Sequence, residues 1–295
     1  MGPMTGIDQT IADAPYGRVE TLSSLVRRVL ARNPSPFTYT GTGTYIVGRG
    51  TVAVIDPGPN DAAHIAALVE AVRGETVSHI VITHTHNDHS PAAPGLKAAT
   101  EAAIAGCAPL TLSAAGPRAD ASFDASYAPD LVLADGASIA GPGWTLQALH
   151  TPGHTSNHLS FGFPEERALF SGDHVMGWST TVVAPPDGSM TAYMASLAKL
   201  LDRDDNIYYP THGPAVTEPQ RFVRGLMTHR RQRETQILTA LASAPASIKD
   251  MVATMYVGVD PRLHPAAGLS VSAHLIGLHA RGRVDCDGDI WRLAA

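Results

Sequence analysis

The segment Thr83-His84-Thr85-His86-Asn87-Asp88-His89 places four metal-binding side chains within six residues. It directly follows the apolar run Ile80-Val81-Ile82, which predicts a buried strand that runs into a polar loop. On an extended chain His84 and His86 point the same way, Asp88 continues that phase, and His89 breaks it. The segment therefore predicts a rigid sheet whose strand end presents ligands for metal ions.

Three further candidate ligands stand alone in the sequence: His154 in Thr-Pro-Gly-His, Asp173 in Ser-Gly-Asp, and His212 in Thr-His-Gly-Pro. Each lies just past an apolar run that predicts a strand, and catalytic groups commonly lie on loops held by a rigid sheet. Together the seven residues can fill two adjacent metal sites, where paired ions lower the pKa of a bridging water and yield a hydroxide nucleophile. The pattern favours a metal-dependent hydrolase.

The donor set contains nitrogen and oxygen atoms without a thiolate. Two divalent metal ions with such ligands suit zinc, and also manganese or iron. His158 lies four residues after His154, and we expect it either to orient a ligand or to face the substrate. We expect His174, next to Asp173, to support the structure.

Strand and helix patterns alternate through the first three quarters of the chain. The predicted strands are 44–47, 52–55, 77–83, 144–149, 158–163, 168–170 and 207–209. The predicted helices are 61–73, with Asp61 as N-cap, 91–106, with a Lys97–Glu101 pair, and 190–201. This interleaving favours a layered α/β fold.

The end of the chain has a different pattern. A long helix is predicted over 218–243, followed by helices over 247–255 and 265–280. A hairpin across Asp287-Gly288 then joins strands 283–286 and 289–292. Because helix, helix and hairpin are typical of a winged helix, we predict a catalytic domain over 1–220 and a winged-helix-like domain over 221–295.

The net charge of -6 is unevenly distributed. Residues 221–295 have an excess of four basic residues, and the remainder has an excess of ten acidic residues. The basic segment contains Arg221, Arg224, Arg230, Arg231 and Arg233, which could follow the phosphates of a nucleic acid. A helical tail that happens to be rich in arginine explains the asymmetry equally well.

The sequence also bears on location. No apolar run reaches the roughly 18 residues that cross a bilayer, and residues 1–16 lack the basic and apolar regions of a secretory signal. The two cysteines, Cys107 and Cys286, lie far apart and are interpreted as lone buried thiols. We predict a cytoplasmic protein that does not bind membranes, and the oligomeric state stays open.

At these residues the chain resembles the metallo-β-lactamase superfamily, over roughly residues 40–214. The motifs that carry the resemblance are Gly41-Thr42-Gly43-Thr44-Tyr45, Asp56-Pro57-Gly58, the His84–His89 cluster, Thr151-Pro152-Gly153-His154-Thr155, Ser171-Gly172-Asp173 and Thr211-His212-Gly213. The resemblance implies an αββα sandwich. It implies one metal at His84, His86 and His154 and another at Asp88, His89 and His212, with Asp173 bridging both. Asp88 would also orient the hydroxide.

The position of Asp173 narrows the resemblance, because some β-lactamases of this fold use a cysteine there. With an aspartate at this position, the chain resembles the glyoxalase II and ribonuclease Z branches. Its winged-helix-like end resembles the β-lactamase-like protein 2 group. Ser90-Pro91 departs from the glycines that many relatives carry after the cluster. This departure should alter access to the site and leave metal binding intact.

Two functions stay open at this point. The first is endoribonuclease activity on single-stranded RNA, which the family branch and the basic tail support. The second is hydrolysis of a small ester, thioester or lactone, which needs no basic track. β-Lactam cleavage and a winged-helix DNA-binding regulator rank below these two.

Overall fold

The structure is a computed structural model that describes residues 6–111, 123–258 and 264–294. The larger sheet contains, in order, β1 (Val19–Thr21), β2 (Val26–Leu30), β3 (Gly43–Arg49), β4 (Thr51–Ile55), β5 (Thr76–Ile82), β6 (Ala103–Gly106) and β7 (Leu131–Val132). The second sheet contains, in order, β12 (Ile207–Pro210), β11 (Ala168–Gly172), β10 (Leu159–Phe163), β9 (Trp144–His150) and β8 (Ser138–Gly141). A third, small sheet contains β13 (Ala246–Ser247), β15 (Ile290–Leu293) and β14 (Val284–Asp287).

The helices lie between and after these strands. They are α1 (Gly6–Ala12), α2 (Ala62–Ala71), α3 (Ala93–Thr100), α4 (Met190–Leu201), α5 (Pro219–Ser243), α6 (Ile248–Met255) and α7 (His264–Ala280). The predicted N-cap of α2 is present, since the Asp61 side chain accepts hydrogen bonds from the amides of Ala63 and His64.

An apolar core joins the two large sheets. The Tyr45 ring of β3 lies 5.2 Å from the Phe170 ring of β11, and its hydroxyl donates to the Pro210 carbonyl at 2.6 Å. Leu68 of α2 and Leu96 of α3 pack against the same core on the first sheet. The buried faces of α4 and of the second sheet form another cluster. The predicted αββα layering is confirmed.

Parallel strand pairs bring the candidate ligands to one edge. Strands β4, β5 and β6 run parallel, as do β11 and β12. Parallel neighbours end on the same side of a sheet, so the loops after them meet. Asp56 follows β4, the His84–His89 cluster follows β5, Asp173 follows β11, and His212 follows β12.

The C-terminal elements have their own apolar cluster, formed by α5, α6, α7 and the small sheet. Their order of helix, helix and hairpin agrees with the predicted winged helix. Helix α5 is continuous and contributes Val223 and Leu226 to the cluster with α4, but Ile237 and Leu241 to the C-terminal cluster. The division at 220/221 stays a prediction.

The predicted helix over 91–106 is wrong in its second half. Helix α3 ends at Thr100, and Glu101 adopts a left-handed conformation with φ of 60°. Ala103–Gly106 instead forms β6, parallel to β5. A short apolar run buried in a parallel sheet has no alternation that distinguishes it from a helix. Lys97 consequently pairs with Asp130, at 2.6 Å, and the predicted Lys97–Glu101 pair does not form.

The two cysteines are both free, as expected, but only Cys107 is buried. Cys286 is exposed because it lies on β14, the edge strand of the small sheet. Among the helices of the described ranges, none has the length and apolar character needed to span a membrane.

Candidate metal centre

Two tight turns set the backbone of the site. Gly172, with φ of 53°, turns the chain so that a β-carbon there would lie 2.6 Å from His158 Nε2. Gly153, with φ of 142°, presses the loop before His154 onto α4, where a β-carbon would lie 2.3 Å from the Cα of Tyr193. Both positions therefore require glycine, and each fixes the ligand candidate that follows it.

The first group of candidate ligands consists of three imidazoles, from His84, His86 and His154. Nδ1 of His86 lies 3.1 Å from His84 Nε2 and 3.0 Å from His154 Nε2. A tetrahedral zinc ion with Zn–N bonds of about 2.0–2.1 Å places neighbouring nitrogens roughly 3.3–3.4 Å apart. The three nitrogens thus have spacings close to those that one ion requires.

The second group contains Asp88, His89 and His212. Oδ2 of Asp88 lies 3.1 Å from His212 Nε2 and 3.6 Å from His89 Nε2. Both imidazoles are buried, whereas 26% of the Asp88 side chain is exposed to solvent. This group therefore combines two fixed nitrogens with a carboxylate that reaches solvent.

Asp173 lies between the two groups. Its Oδ2 is 3.6 Å from His154 Nε2 and 3.6 Å from His89 Nε2, and its Oδ1 is 3.4 Å from His212 Nε2. The structure thus brings all seven residues named from the sequence into one cluster, in which Asp173 contacts members of both groups.

The Asp56 side chain, for which the sequence patterns predicted no role, supports the second group. Its fully buried carboxylate accepts hydrogen bonds from the Thr83 amide and hydroxyl and from the Thr211 hydroxyl. It also lies 2.9 Å from His89 Nδ1, which directs Nε2 of that ring toward Asp88 and Asp173. The available signal was an aspartate directly after the apolar strand that precedes the histidine strand.

His158 and His174 lie beneath the site. The Asp173 amide donates to His158 Nε2 at 3.1 Å, so Nδ1 carries the proton and faces the Thr151 hydroxyl at 2.9 Å. The His158 ring is fully buried and holds the backbone of Asp173, which fits the orienting role better than contact with substrate. His174 is also buried, with its ring 4.8 Å from that of Tyr193.

The two groups differ in charge. Burial and the neighbouring imidazoles hold the pKa of His84 well below its ordinary value and lower the pKa of His154 to about 4. In the second group burial also disfavours imidazolium, but the Asp173 and Asp88 carboxylates outweigh it and raise the pKa of His212 to about 10. His89 has a pKa well above its ordinary value because Asp88 and Asp173 likewise outweigh its burial.

These residues fit bound metal ions. Three buried ligand atoms have no hydrogen-bond partner in the described part of the chain: Nε2 of His89, Nε2 of His212 and Oδ1 of Asp173. Orphaned polar atoms that face one another need a shared partner. A cation between them would satisfy all three and replace the protons that the carboxylates hold on the imidazoles. Within each trio the ligand atoms lie within 4.8 Å of one another.

A cavity of about 680 Å³ opens onto the cluster at His86, Asp88, His154, Asp173 and His212. Its remaining wall is largely apolar and includes Phe37, Met176, Val182, Ala184, Pro265 and Leu269. The last two belong to α7, so the C-terminal region forms part of the wall. Among the described lining residues there is no lysine or arginine. The fold and the site together define a hydrolase with a His/Asp cluster, able to hold metal ions, at the base of a largely apolar cavity.

Comparison with known proteins gives the same result. Residues 39–212 match the metallo-β-lactamase superfamily, and residues 247–291 match the β-lactamase-associated winged helix domain. The chain is 37% identical to a β-lactamase-like protein 2 homolog of Caenorhabditis elegans, over 76% of this chain and 73% of that one. The chain therefore belongs to the metallo-β-lactamase superfamily, whose members are hydrolases.

Two other relatives are informative. An atrochrysone carboxyl ACP thioesterase of a Cryptosporiopsis species is 32% identical, over 80% of this chain and 69% of that one. The crystal structure of a β-lactamase domain protein from Burkholderia ambifaria superimposes with a TM-score of 0.81 over 96% of both chains. At 20% identity, that second likeness concerns the fold alone.

Proposed function

We propose that this hydrolase cleaves thioesters, or related small esters, whose acyl group is apolar. Two divalent cations would be held by His84, His86 and His154 and by Asp88, His89 and His212, with Asp173 between them. The observation that carries the proposal is the cavity, whose apolar wall leads directly to the ligand cluster. An acyl chain would bury its surface there, whereas the phosphodiester backbone of a nucleic acid would meet no lysine or arginine among the described lining residues.

The proposed reaction adds water to the acyl carbon and breaks the carbon–sulfur bond, giving a carboxylate and a thiol. Bound divalent cations, for which zinc is well suited, would supply Lewis acidity that lowers the pKa of water and stabilises charge on the acyl oxygen. Asp88 is the more exposed of the two carboxylates, at 26% against 9% for Asp173. It therefore has the access needed to orient the attacking water.

A similar activity in a relative supports this proposal. The Cryptosporiopsis protein is named an atrochrysone carboxyl ACP thioesterase, and it is similar over most of this chain. A cytoplasmic location also stays a proposal.

Hydrolysis of single-stranded RNA is the second candidate. Arg221, Arg224 and Arg231 are exposed on α5 and could contact phosphates. The predicted track is interrupted, however, because Arg230 is buried with 4% exposure. The guanidinium of Arg233 lies 4.2 Å from the centre of the Tyr256 ring. This contact makes the Arg233 guanidinium less available to a phosphate.

One paired assay tests the two candidates. Zinc-loaded protein is incubated with acetyl, hexanoyl and benzoyl thioesters, with thiol release as the readout, and separately with labelled single-stranded RNA. We expect turnover of the larger acyl groups, its loss in Asp88→Asn, and intact RNA. Asp204→Asn is the matched control, because Asp204 is an exposed aspartate that pairs with Arg167. RNA cleavage that requires Asp88, without thioester turnover, would overturn the proposal.

A further inference from the structure

The segment Thr181-Val182-Val183-Ala184, called here the 181–184 segment, contacts two candidate ligands. The Thr181 hydroxyl donates to the Asp173 carbonyl at 2.7 Å. The Val182 carbonyl accepts from Nδ1 of His154 at 2.6 Å. Because Nε2 of His154 faces the first ligand group, this second bond sets both the tautomer and the direction of the ring. The position of the segment therefore determines how His154 and Asp173 approach an ion.

Arg230 of α5 holds this segment from the opposite side. Its Nη2 donates to the Thr181 carbonyl. Its guanidinium lies 5.3 Å from the centre of the Tyr193 ring of α4, an arrangement suited to a cation–π contact. Through Arg230, the long C-terminal helix is thus connected to the peptide that contacts both candidate ligands.

The surroundings of Arg230 are unusual for a buried cation. Its side chain is almost fully buried, and no carboxylate of the described residues forms an ion pair with it. Its Nε is buried without a hydrogen-bond partner in the same part of the chain. Burying a charge without a paired counter-charge opposes folding, and an apolar side chain of similar length would avoid that cost. Violations of this kind are concentrated at functional sites.

We propose that Arg230 is a positioning residue for the metal centre: by fixing the 181–184 segment, it aligns His154 and Asp173 for ion binding. This inference rests on the proposed function, because it assumes that those two residues are ligands. It also gives the C-terminal helices a role, since α5 would brace a catalytic loop as well as pack on the second sheet.

Metal affinity distinguishes a positioning role of Arg230 from a purely structural one, because a purely structural role would leave the affinity unchanged. The variants are Arg230→Met, which removes the charge, and Arg230→Lys, which keeps the charge but loses the planar fork. The control is Arg203→Met, because Arg203 is a partly buried arginine that pairs with Asp205, outside the metal cluster. Each full-length protein is titrated with Co²⁺ against a chelator. The visible absorption spectrum and the melting temperature are also recorded.

We expect Arg230→Met to keep its melting temperature, to bind Co²⁺ about tenfold more weakly, and to show a shifted absorption band. The Co²⁺ affinity and the absorption band of Arg230→Lys should lie between those of Arg230→Met and the wild type. Arg203→Met should lower the melting temperature and leave affinity and spectrum unchanged. Wild-type affinity and spectrum in Arg230→Met would overturn the inference, and so would equal weakening in Arg230→Met and Arg203→Met. If Arg230→Met does not fold, an unchanged spectrum in Arg230→Lys would overturn it.

The same titration separates this inference from the proposed function. A wild-type protein that binds no Co²⁺ stoichiometrically would overturn both. A wild-type protein that binds ions without cleaving thioesters would overturn only the thioester activity, and the Arg230 variants would still decide the positioning role.

Discussion

The two ligand groups lie side by side and yet are built differently. The first is made of three imidazoles, and His154 is oriented by a backbone carbonyl. The second contains a carboxylate, and its His89 is oriented by a second, buried carboxylate, that of Asp56. Burial keeps His84 and His154 of the first group neutral, whereas carboxylates keep His89 and His212 of the second group protonated in the absence of an ion.

This difference has a consequence for ion binding. An ion entering the first group meets neutral nitrogens and displaces no protons from His84 or His154 near neutral pH. An ion entering the second group must release the protons of His89 and His212, so its affinity depends more strongly on pH. We therefore expect the first group to bind its ion more tightly than the second as the pH falls.

The largest expected effect comes from Asp173, because it is the residue that both groups share. Asp173→Ala should lower thioester turnover by about a thousandfold, since two ions would lose a common ligand and several kcal/mol of charge stabilisation. Turnover is measured together with metal content. Retention of both ions and of most activity would contradict the central position of Asp173.

Single histidine variants separate the groups. His154→Ala and His212→Ala should each reduce the metal content from about two ions per chain to about one, because each removes one of three ligands from a single trio. Elemental analysis after gel filtration measures the content. Loss of both ions in both variants would show that the groups do not bind independently.

Asp56→Asn tests the support of the second group alone. Losing a buried carboxylate that faces His89 Nδ1 at 2.9 Å should weaken metal binding by the second group about ten- to a hundredfold. Metal binding by the first group should be unaffected. It should also lower the free energy of unfolding by about 3 kcal/mol, because a buried pair is broken. Two-site metal titration and urea unfolding measure these effects. Equal weakening at both sites would contradict the distinction between the groups.

The last expected effect is the pH dependence of the stability of the metal-free protein. His154 has its pKa lowered to about 4, so unfolding takes up a proton below about pH 6.5 and stability falls toward pH 4. His212 has its pKa raised to about 10, so unfolding releases a proton above about pH 6.5 and stability falls toward pH 10.

The melting temperature in the presence of chelator should therefore be highest near about pH 6.5. His212→Asn should flatten only the alkaline side of the profile, and His154→Asn only the acidic side. If either variant flattens both sides of the profile, the assignment of a neutral His154 and a protonated His212 is wrong.

Much of the fold was predictable because local patterns agreed with it. The strands predicted over 44–47 and 52–55 and helix α4 appear close to their predicted bounds. The predicted C-terminal hairpin also forms, with its two-residue turn at Gly288-Asp289, one residue later than predicted, because Asp287 pairs with Ile290. The failure at Ala103–Gly106 has a physical cause, since a strand buried on both faces shows no alternation. The roles of Asp56 and Arg230 could not be predicted, because each depends on partners brought close only by folding: Asp56 on His89 and Thr211, Arg230 on Thr181.

The sequence by itself determined which side chains could bind ions and that each would follow a strand, because ligand chemistry and hydrophobic patterning are local properties. Tertiary structure alone decided that Asp173 lies between the two groups, that the cavity wall is largely apolar, and that Arg230 is buried against the 181–184 segment. Those facts depend on the packing of two sheets and a C-terminal helix, which brings together residues that are distant along the chain.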